Sequence, residues 1–260
     1  MNGLLVTATV APLLTAPSLK SEQLSQLVLG EGAEVLETQG EMLRVRTLLD
    51  DYQGWIAAGY VEQLTLGEVE SWLALAVWSE GGVVNASSGF AVRVPHRGRV
   101  IDDGDDVVRL PTGEKAEIVT GHYLPYDQLV ARAREESPAD WAWNEFAGTP
   151  YLWGGVTGAG IDCSGLTQNT FLARGITLPR DAVLQAAYGQ VVDPADRRPG
   201  DLLFFRSRDG DQIAHVGILA DGEQMVHSTI DVGGVIRESL APDARAHALL
   251  ARLVAVRRID

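Results

Sequence analysis

The periodicity of the chain changes once, near Tyr123, and that change limits the architectures open to it. Before it, apolar runs are short and broken by turn residues: Leu4 to Val10, Val28-Leu29, Ala33 to Leu36, Met42 to Thr47 and Gly54-Trp55-Ile56. Gly89 to Val94, Val107 to Leu110 and Ala116 to Val119 continue the pattern. Runs this short, at this spacing, predict small β-barrels. After it, Asp127 to Glu136 reads as helix, and Ser137-Pro138-Ala139-Asp140 supplies an N-cap, a proline at the first helical position and an acidic residue in the first turn. A helix through Trp141, Trp143 and Phe146 should follow and stop at Gly148. Further helices are expected from Cys163 to Ala173 and from Ala182 to Gly189. The strands come last: Asp201 to Phe205, Ile213 to Ala220, Gln224 to Thr229 and Arg252 to Arg257. Helices followed by an antiparallel sheet make an α+β domain.

Three domains are therefore expected, at residues 1–65, 66–122 and 123–260. The first two loosely echo each other, Leu43-Arg44-Val45-Arg46 against Val108-Arg109-Leu110, as two barrels of one kind would. With 46% apolar residues, 28 Gly and 11 Pro in 260, the composition suits several small cores and excludes disorder, collagen and coiled coil. A net charge of −14 repels nucleic acid and disfavours anionic wall polymers. No run of about 18 apolar residues occurs, and Met1-Asn2-Gly3-Leu4-Leu5 lacks the basic start of a leader, so the expectation is a cytoplasmic protein without a membrane partner. Oligomeric state is not legible in these patterns.

A single cysteine forms no internal disulfide, so Cys163 is either a buried packing residue or a reactive one. Asp162 is a preferred N-cap, which puts Cys163 in the first turn of a helix, where amide dipoles favour a thiolate and should lower the thiol pKa. Of five histidines, His215 and His227 lie within expected strands of the same domain. His96, His122 and His247 read as surface or turn residues. A zinc site from Cys163, His215 and His227 lacks the short ligand pairs of structural zinc.

The hairpin between the two strands carries the register. A two-residue turn at Asp221-Gly222 sets His215 against Ser228 and sends the histidines to opposite faces. A three-residue loop of Ala220, Asp221 and Gly222, with glycine at the left-handed position, sets His215 directly opposite His227. The second arrangement is expected, with His227 holding one ring nitrogen of His215 while the other faces the thiol. Two core histidines satisfying each other would share this geometry.

Several segments, in order, closely resemble the NlpC-type cysteine peptidases. They are Thr149-Pro150-Tyr151-Leu152-Trp153-Gly154-Gly155, Gly160-Ile161-Asp162-Cys163-Ser164-Gly165-Leu166, Leu178-Pro179-Arg180-Asp181 with Gln185, Pro199-Gly200-Asp201-Leu202-Leu203-Phe204-Phe205, Ala214-His215-Val216-Gly217-Ile218 and Val226-His227-Ser228. The amino-terminal part, through Ser21 to Gln26, Gly30-Glu31 and Asp51-Tyr52-Gln53-Gly54-Trp55-Ile56, resembles the bacterial SH3-like domains of the murein-recycling subgroup, γ-D-glutamyl-L-diamino acid endopeptidases of the dipeptidyl-peptidase VI type.

The resemblance implies two SH3-like barrels followed by a papain-like α+β cysteine peptidase domain, acting on murein tripeptide or tetrapeptide with no cofactor. It implies Cys163 as nucleophile, His215 as base, His227 as the residue orienting it, and Tyr151 beside the thiol, where it would assist the oxyanion or simply pack near Trp153. Glu22, Tyr52 and Asp162 are implied partners of the ammonium of a free N-terminal L-alanine. Arg180, with Ser164 and Asp181 nearby, is implied at the free carboxylate of γ-D-glutamate, or in a structural ion pair. Ala182 stands where relatives often carry a hydroxyl. Rival readings are a secreted wall endopeptidase, a wall-fragment binding protein with an idle triad, and a lipid acyltransferase. The last usually places its histidine before its cysteine, the reverse of the order here.

Overall fold

The computed structural model describes residues 2–260 and divides into two compact units, Met1–Leu129 and Val130–Asp260. The first holds β1 (Gly3–Val6), β2 (Val10–Leu14), β3 (Gln23–Val28), β4 (Gly32–Gln39), β5 (Met42–Thr47), β6 (Gln53–Ala57), β7 (Val61–Leu64), helix α1 (Leu66–Leu75), β8 (Val77–Ala86), β9 (Ala91–Gly104), β10 (Val107–Arg109) and β11 (Lys115–Leu124). Strands β1 to β7 form one antiparallel sheet in the order β3-β2-β6-β5-β4-β1-β7, and β8 to β11 close into a barrel. Each has its own apolar core, Leu4, Leu13, Leu27, Leu43 and Ile56 in one and Val84, Val94, Val100 and Val108 in the other. Within this unit the sheet and the barrel abut at Gly30, whose φ of 77° and missing Cβ let its backbone approach the Arg99 carbonyl; a Cβ there would lie 2.2 Å from that oxygen. A buried Arg97–Glu31 ion pair at 3.1 Å crosses the same junction.

Two features of this unit differ from the sequence expectation. Helix α1 interrupts the β-rich run, nucleated by a capping box in which Thr65 accepts from the Glu68 amide and the Glu68 carboxylate accepts from the Thr65 amide at 2.8 Å. His96 is buried rather than at the surface, and burial pushes its pKa down to about 4.

Helix α2 (Tyr126–Ala133) spans the division between the units, and the second unit continues with α3 (Pro138–Phe146), the short pair β12 (Val156–Thr157) and β13 (Gly160–Ile161), α4 (Cys163–Leu172), α5 (Ala182–Gln185), β14 (Gln190–Val191), β15 (Leu202–Arg206), β16 (Ile213–Ala220), β17 (Gln224–Thr229), β18 (Gly234–Ser239), α6 (His247–Leu250) and β19 (Leu253–Arg258). Ser137 caps α3 with proline at its start, as its sequence dictates. Six strands form an antiparallel sheet in the order β14-β19-β15-β16-β17-β18, so β16 and β17 are interior neighbours. Helix α4 packs against both, and every residue of it is buried. Its polar side chains therefore need internal partners: Gln168 donates to the Leu178 carbonyl at 3.0 Å, and Asn169 to those of Val156 and Gly165. Among the described residues, no helix is long and apolar enough to cross a membrane.

Candidate active site

Asp162 is the N-cap of α4, and its carboxylate organises the first turn. One oxygen accepts from the Gly165 amide at 2.7 Å and the other from the Gly154 amide at 2.8 Å, tying the Trp153-Gly154-Gly155 turn to the helix start. The approach is close enough that a Cβ on Gly165 would sit 2.3 Å from the Gly155 carbonyl oxygen. Arg180, 2% exposed, completes the set, donating to Asp162 at 2.7 Å and to the Ser164 hydroxyl at 2.8 Å. Gln185 bridges the Ser164 and Pro179 carbonyls at 3.0 and 2.8 Å. Arg180 and Asp162 thus form an ion pair inside the fold. Ser164 is committed to the same network. Asp181 is half-buried at the N-cap of α5, where its side chain makes no capping bond.

Cys163 stands at the first position of α4 with 7% exposure, and the backbone amides of Ser164 and of Val216, the residue after His215, favour its thiolate. The expected acid shift of the thiol does not occur. Burial, joined by the negative charge of Asp162, pushes it up to about 12, outweighing those two amides. Tyr151 is half-buried and its phenol is shifted upward by burial, then by the charges of Cys163 and Asp162.

His215 and His227 share a face of the sheet, with ring centroids 4.9 Å apart. Their register differs from the expected one. Gly222 and Glu223 both adopt positive φ, 68° and 53°, so the reversal occupies Asp221-Gly222-Glu223 and Ala220 pairs with Gln224. The shift is by two residues in the pairing, which preserves the face, so the histidines are diagonal neighbours. A Cβ on Gly217 would lie 3.2 Å from the Cβ of His227, so its absence gives that ring room. Across the other edge of β16, Phe205 is paired with His215, and the two rings stack at 5.9 Å.

The relay runs one residue further than the sequence reading carried it. His215 Nε2 lies 2.7 Å from His227 Nδ1, and His227 Nε2 lies 2.7 Å from Glu238 Oε1 on β18. A carboxylate only accepts, so His227 Nε2 carries the proton and His227 Nδ1 is the acceptor. His215 Nε2 must then donate, which leaves His215 Nδ1 unprotonated. Glu238 is itself held by Arg245, whose Nε donates to Oε2 at 3.1 Å. Burial would raise the Glu238 carboxyl, but His227 and Arg245 outweigh it and hold it below the usual range. His215 is pushed down to about 3 by burial, with the charges of Arg252 and Arg245 adding. Thiol and imidazole are thus both neutral at rest. Arrangements of this kind suit a thiol that gives up its proton only as its sulfur forms a bond.

The remaining expected site residues lie in the first unit: Glu22 is exposed just before β3, and Tyr52 is half-buried against the core of the first sheet. His122 is exposed, 3.6 Å from Glu80, and His247 Nδ1 meets the Leu240 carbonyl at 2.8 Å.

Residues 148–253 match the model of the NlpC/P60 family, and residues 13–60 match that of the bacterial dipeptidyl-peptidase Sh3 domain. A Bacillus subtilis protein named gamma-D-glutamyl-L-lysine dipeptidyl-peptidase is 49% identical over 84 residues, 32% of this chain and 28% of that one. A Haemophilus influenzae protein named probable endopeptidase is 44% identical over 98 residues, 37% of this chain and 60% of that one. The chain therefore matches less than two thirds of the length of either relative. The crystal structure of an NlpC/P60 family protein from Bacillus cereus superposes with a TM-score of 0.79 at 20% identity, covering 98% of this chain and 99% of that one, which is a likeness of fold. Taken with the SH3-like strands and the papain-like helix-and-sheet unit, these matches identify residues 148–253 as a domain of the NlpC/P60 family, carried in one chain behind a bacterial dipeptidyl-peptidase SH3 domain.

Proposed function

We propose that the chain is a cysteine peptidase that hydrolyses the γ-D-glutamyl–diamino acid bond of murein tripeptides or tetrapeptides bearing a free N-terminal L-alanine, releasing L-Ala-γ-D-Glu. The observation that carries the reading is the relay from His215 through His227 to Glu238, on strands packed against the helix that begins at Cys163. The name of the Bacillus subtilis relative points to the γ-glutamyl linkage. The net charge of −14 accords with short soluble fragments, met inside the cell, rather than anionic wall polymer.

In this reading the Cys163 proton passes to His215 Nδ1 as the sulfur bonds to the γ-glutamyl carbonyl carbon. The Cys163 amide in the first turn of α4 and the Tyr151 hydroxyl face the oxyanion. The tetrahedral species collapses when the C–N bond breaks and His215 gives its proton to the departing amine, leaving a thioester. Water then loses a proton to His215 and adds to the thioester carbon, and the C–S bond breaks as the proton returns to sulfur. Arg180 and Asp162 act at one remove, by fixing the helix start that carries Cys163.

Mass spectrometry of the wild type and Cys163→Ala with L-Ala-γ-D-Glu-diaminopimelate, and with its N-acetylated copy, tests this. Cleavage of the free peptide alone, lost in the variant, is the expected result. Cleavage of both peptides removes the requirement for a free amine. Cleavage of neither refutes the peptidase.

A further inference from the structure

Resting on the proposed function, we infer that Arg245 is a positioning residue for the reaction: held between Glu238 and Asp231, it keeps the Glu238 carboxylate an acceptor and so keeps His215 Nδ1 open for the proton of the thiol. Arg245 lies in the turns between β18 and α6. Its Nε donates to Glu238 Oε2 at 3.1 Å and its Nη2 contacts Glu238 Oε1, the oxygen that also accepts from His227. Both carboxylate oxygens are therefore engaged by one guanidinium. The remaining nitrogen, Nη1, is 3.6 Å from Asp231 Oδ2 in the reversal between β17 and β18, and the same oxygen accepts from Arg208 at 2.8 Å. Charge alternates outward from the relay through Glu238, Arg245, Asp231 and Arg208, while side-chain exposure rises from 12% at Glu238 to 67% at Arg208.

The clamp matters because a proton on Glu238 reverses the relay. Burial favours the neutral carboxylic acid, which has an O–H to give. That O–H would donate to His227 Nε2 and move the His227 proton to Nδ1. His215 Nε2 would then accept, and the proton of His215 would stand on Nδ1. One added proton thus closes the base two rings away, with every hydrogen bond along the row kept. His227 does not oppose this, since its Nε2 pairs as donor with a carboxylate or as acceptor with a carboxylic acid. Arg245 does, because a guanidinium only donates and its charge is permanent. Arg237, next to Glu238 in β18, answers Gln224 and Asp140 instead, at 2.9 and 2.6 Å. At 44% exposure Arg245 adds little to folding stability, so its loss should tell on the relay more than on the fold.

The test reads kcat/KM for L-Ala-γ-D-Glu-diaminopimelate between pH 5.5 and 8.0 in Arg245→Met, Arg245→Lys and Arg237→Met, each as a ratio to wild type, which cancels the ionisation of the peptide. For Arg245→Met the ratio should fall at least tenfold from pH 8.0 to 5.5. Arg245→Lys restores the charge and should recover at least half of that fall on a logarithmic scale. Arg237→Met removes a charge from the same strand without touching Glu238, and its ratio should stay within threefold. A ratio for Arg245→Met lowered equally at every pH is what a merely structural role gives, and it overturns the inference, as does an equal acid fall in Arg237→Met. Histidine side-chain 15N shifts read the relay without substrate. On acidification of Arg245→Met the His227 proton should pass from Nε2 to Nδ1 at a pH where the wild type keeps it on Nε2. Loss of Arg245 also relieves His215 of a repelling charge, so protonation of His215 with His227 still protonated on Nε2 would assign the titration to His215 and overturn the inference. If the wild type cleaves nothing, the proposed function fails, while the His227 shifts still decide for or against Arg245.

Discussion

Glu238 lies farthest from the thiol in the relay, and its removal should be felt at the sulfur. Its carboxylate accepts from His227 Nε2 at 2.7 Å, and His227 is itself 1% exposed. In Glu238→Ala the His227 N–H loses a charge-assisted hydrogen bond worth about 1.5–3 kcal/mol. His227 is then free to carry its proton on Nδ1. That tautomer turns His215 Nε2 into an acceptor and places a proton on His215 Nδ1, where the base must be empty. At about 1.4 kcal/mol per tenfold change, kcat/KM should fall roughly 10- to 100-fold. Glu238→Gln keeps an acceptor oxygen and loses the charge, so it should recover part of the loss. The assay is hydrolysis of L-Ala-γ-D-Glu-diaminopimelate by the three proteins, each checked for an unchanged melting temperature. Histidine side-chain 15N shifts report the tautomer directly: His227 should be protonated on Nε2 in the wild type and mixed in Glu238→Ala. A Glu238→Ala protein with kcat/KM within twofold of wild type, or with an unchanged His227 tautomer, would refute the reasoning.

Two further outcomes follow from burial. His215 and His96, pushed down to about 3 and about 4, stay neutral in the folded chain while the unfolded chain takes up protons near pH 6.5. Their contribution to stability is complete above pH 6.5 and is lost as pH falls from there toward the folded values, by up to about 1.4 kcal/mol per pH unit for each histidine. Urea unfolding at pH 7.0 and 5.5 should show the fall, while kcat/KM at pH 5.5 stays within threefold of its neutral value; an acid limb near pH 6.5 would show that His215 is not held neutral. Arg180→Met strips the guanidinium from a buried Asp162 carboxylate, a loss of about 3–5 kcal/mol, and should lower the urea midpoint and kcat together. Unchanged stability with a raised KM would return Arg180 to the substrate.

The sequence carried the residue types of the site more fully than their spatial relations. Asp162 before Cys163, Ser137 before Pro138 and the two histidines on strands are local signals, and each stands where its local chemistry puts it. Helix α1 had an equally local signal, Thr65 with Glu68, at the head of a stretch read as β-rich. Glu238 had none: β18 reads Gly-Val-Ile-Arg-Glu-Ser, with two apolar residues and no alternation, and its pairing with β17 is a tertiary fact. The hairpin shows the same limit on a smaller scale, since a left-handed Glu223 after Gly222 moves the register by two and no residue preference predicts it.

The thiol shows why such relations decide the chemistry. From Asp162 and the helix start alone, dipoles argue for a thiolate. Enclosure at 7% exposure, with the Asp162 carboxylate close by, argues the other way and wins. In the proposed mechanism, with thiol and imidazole both neutral at rest, the proton moves during attack, so its acceptor has to be empty and correctly placed beforehand. Cys163 and His215 do not settle that between themselves. The proton on His215 is assigned by His227, and the proton on His227 by a carboxylate contributed from the next strand. Helix α4 sets the sulfur and strand β16 sets the base, while the pairing of β17 with β18 determines which nitrogen of that base is free to act.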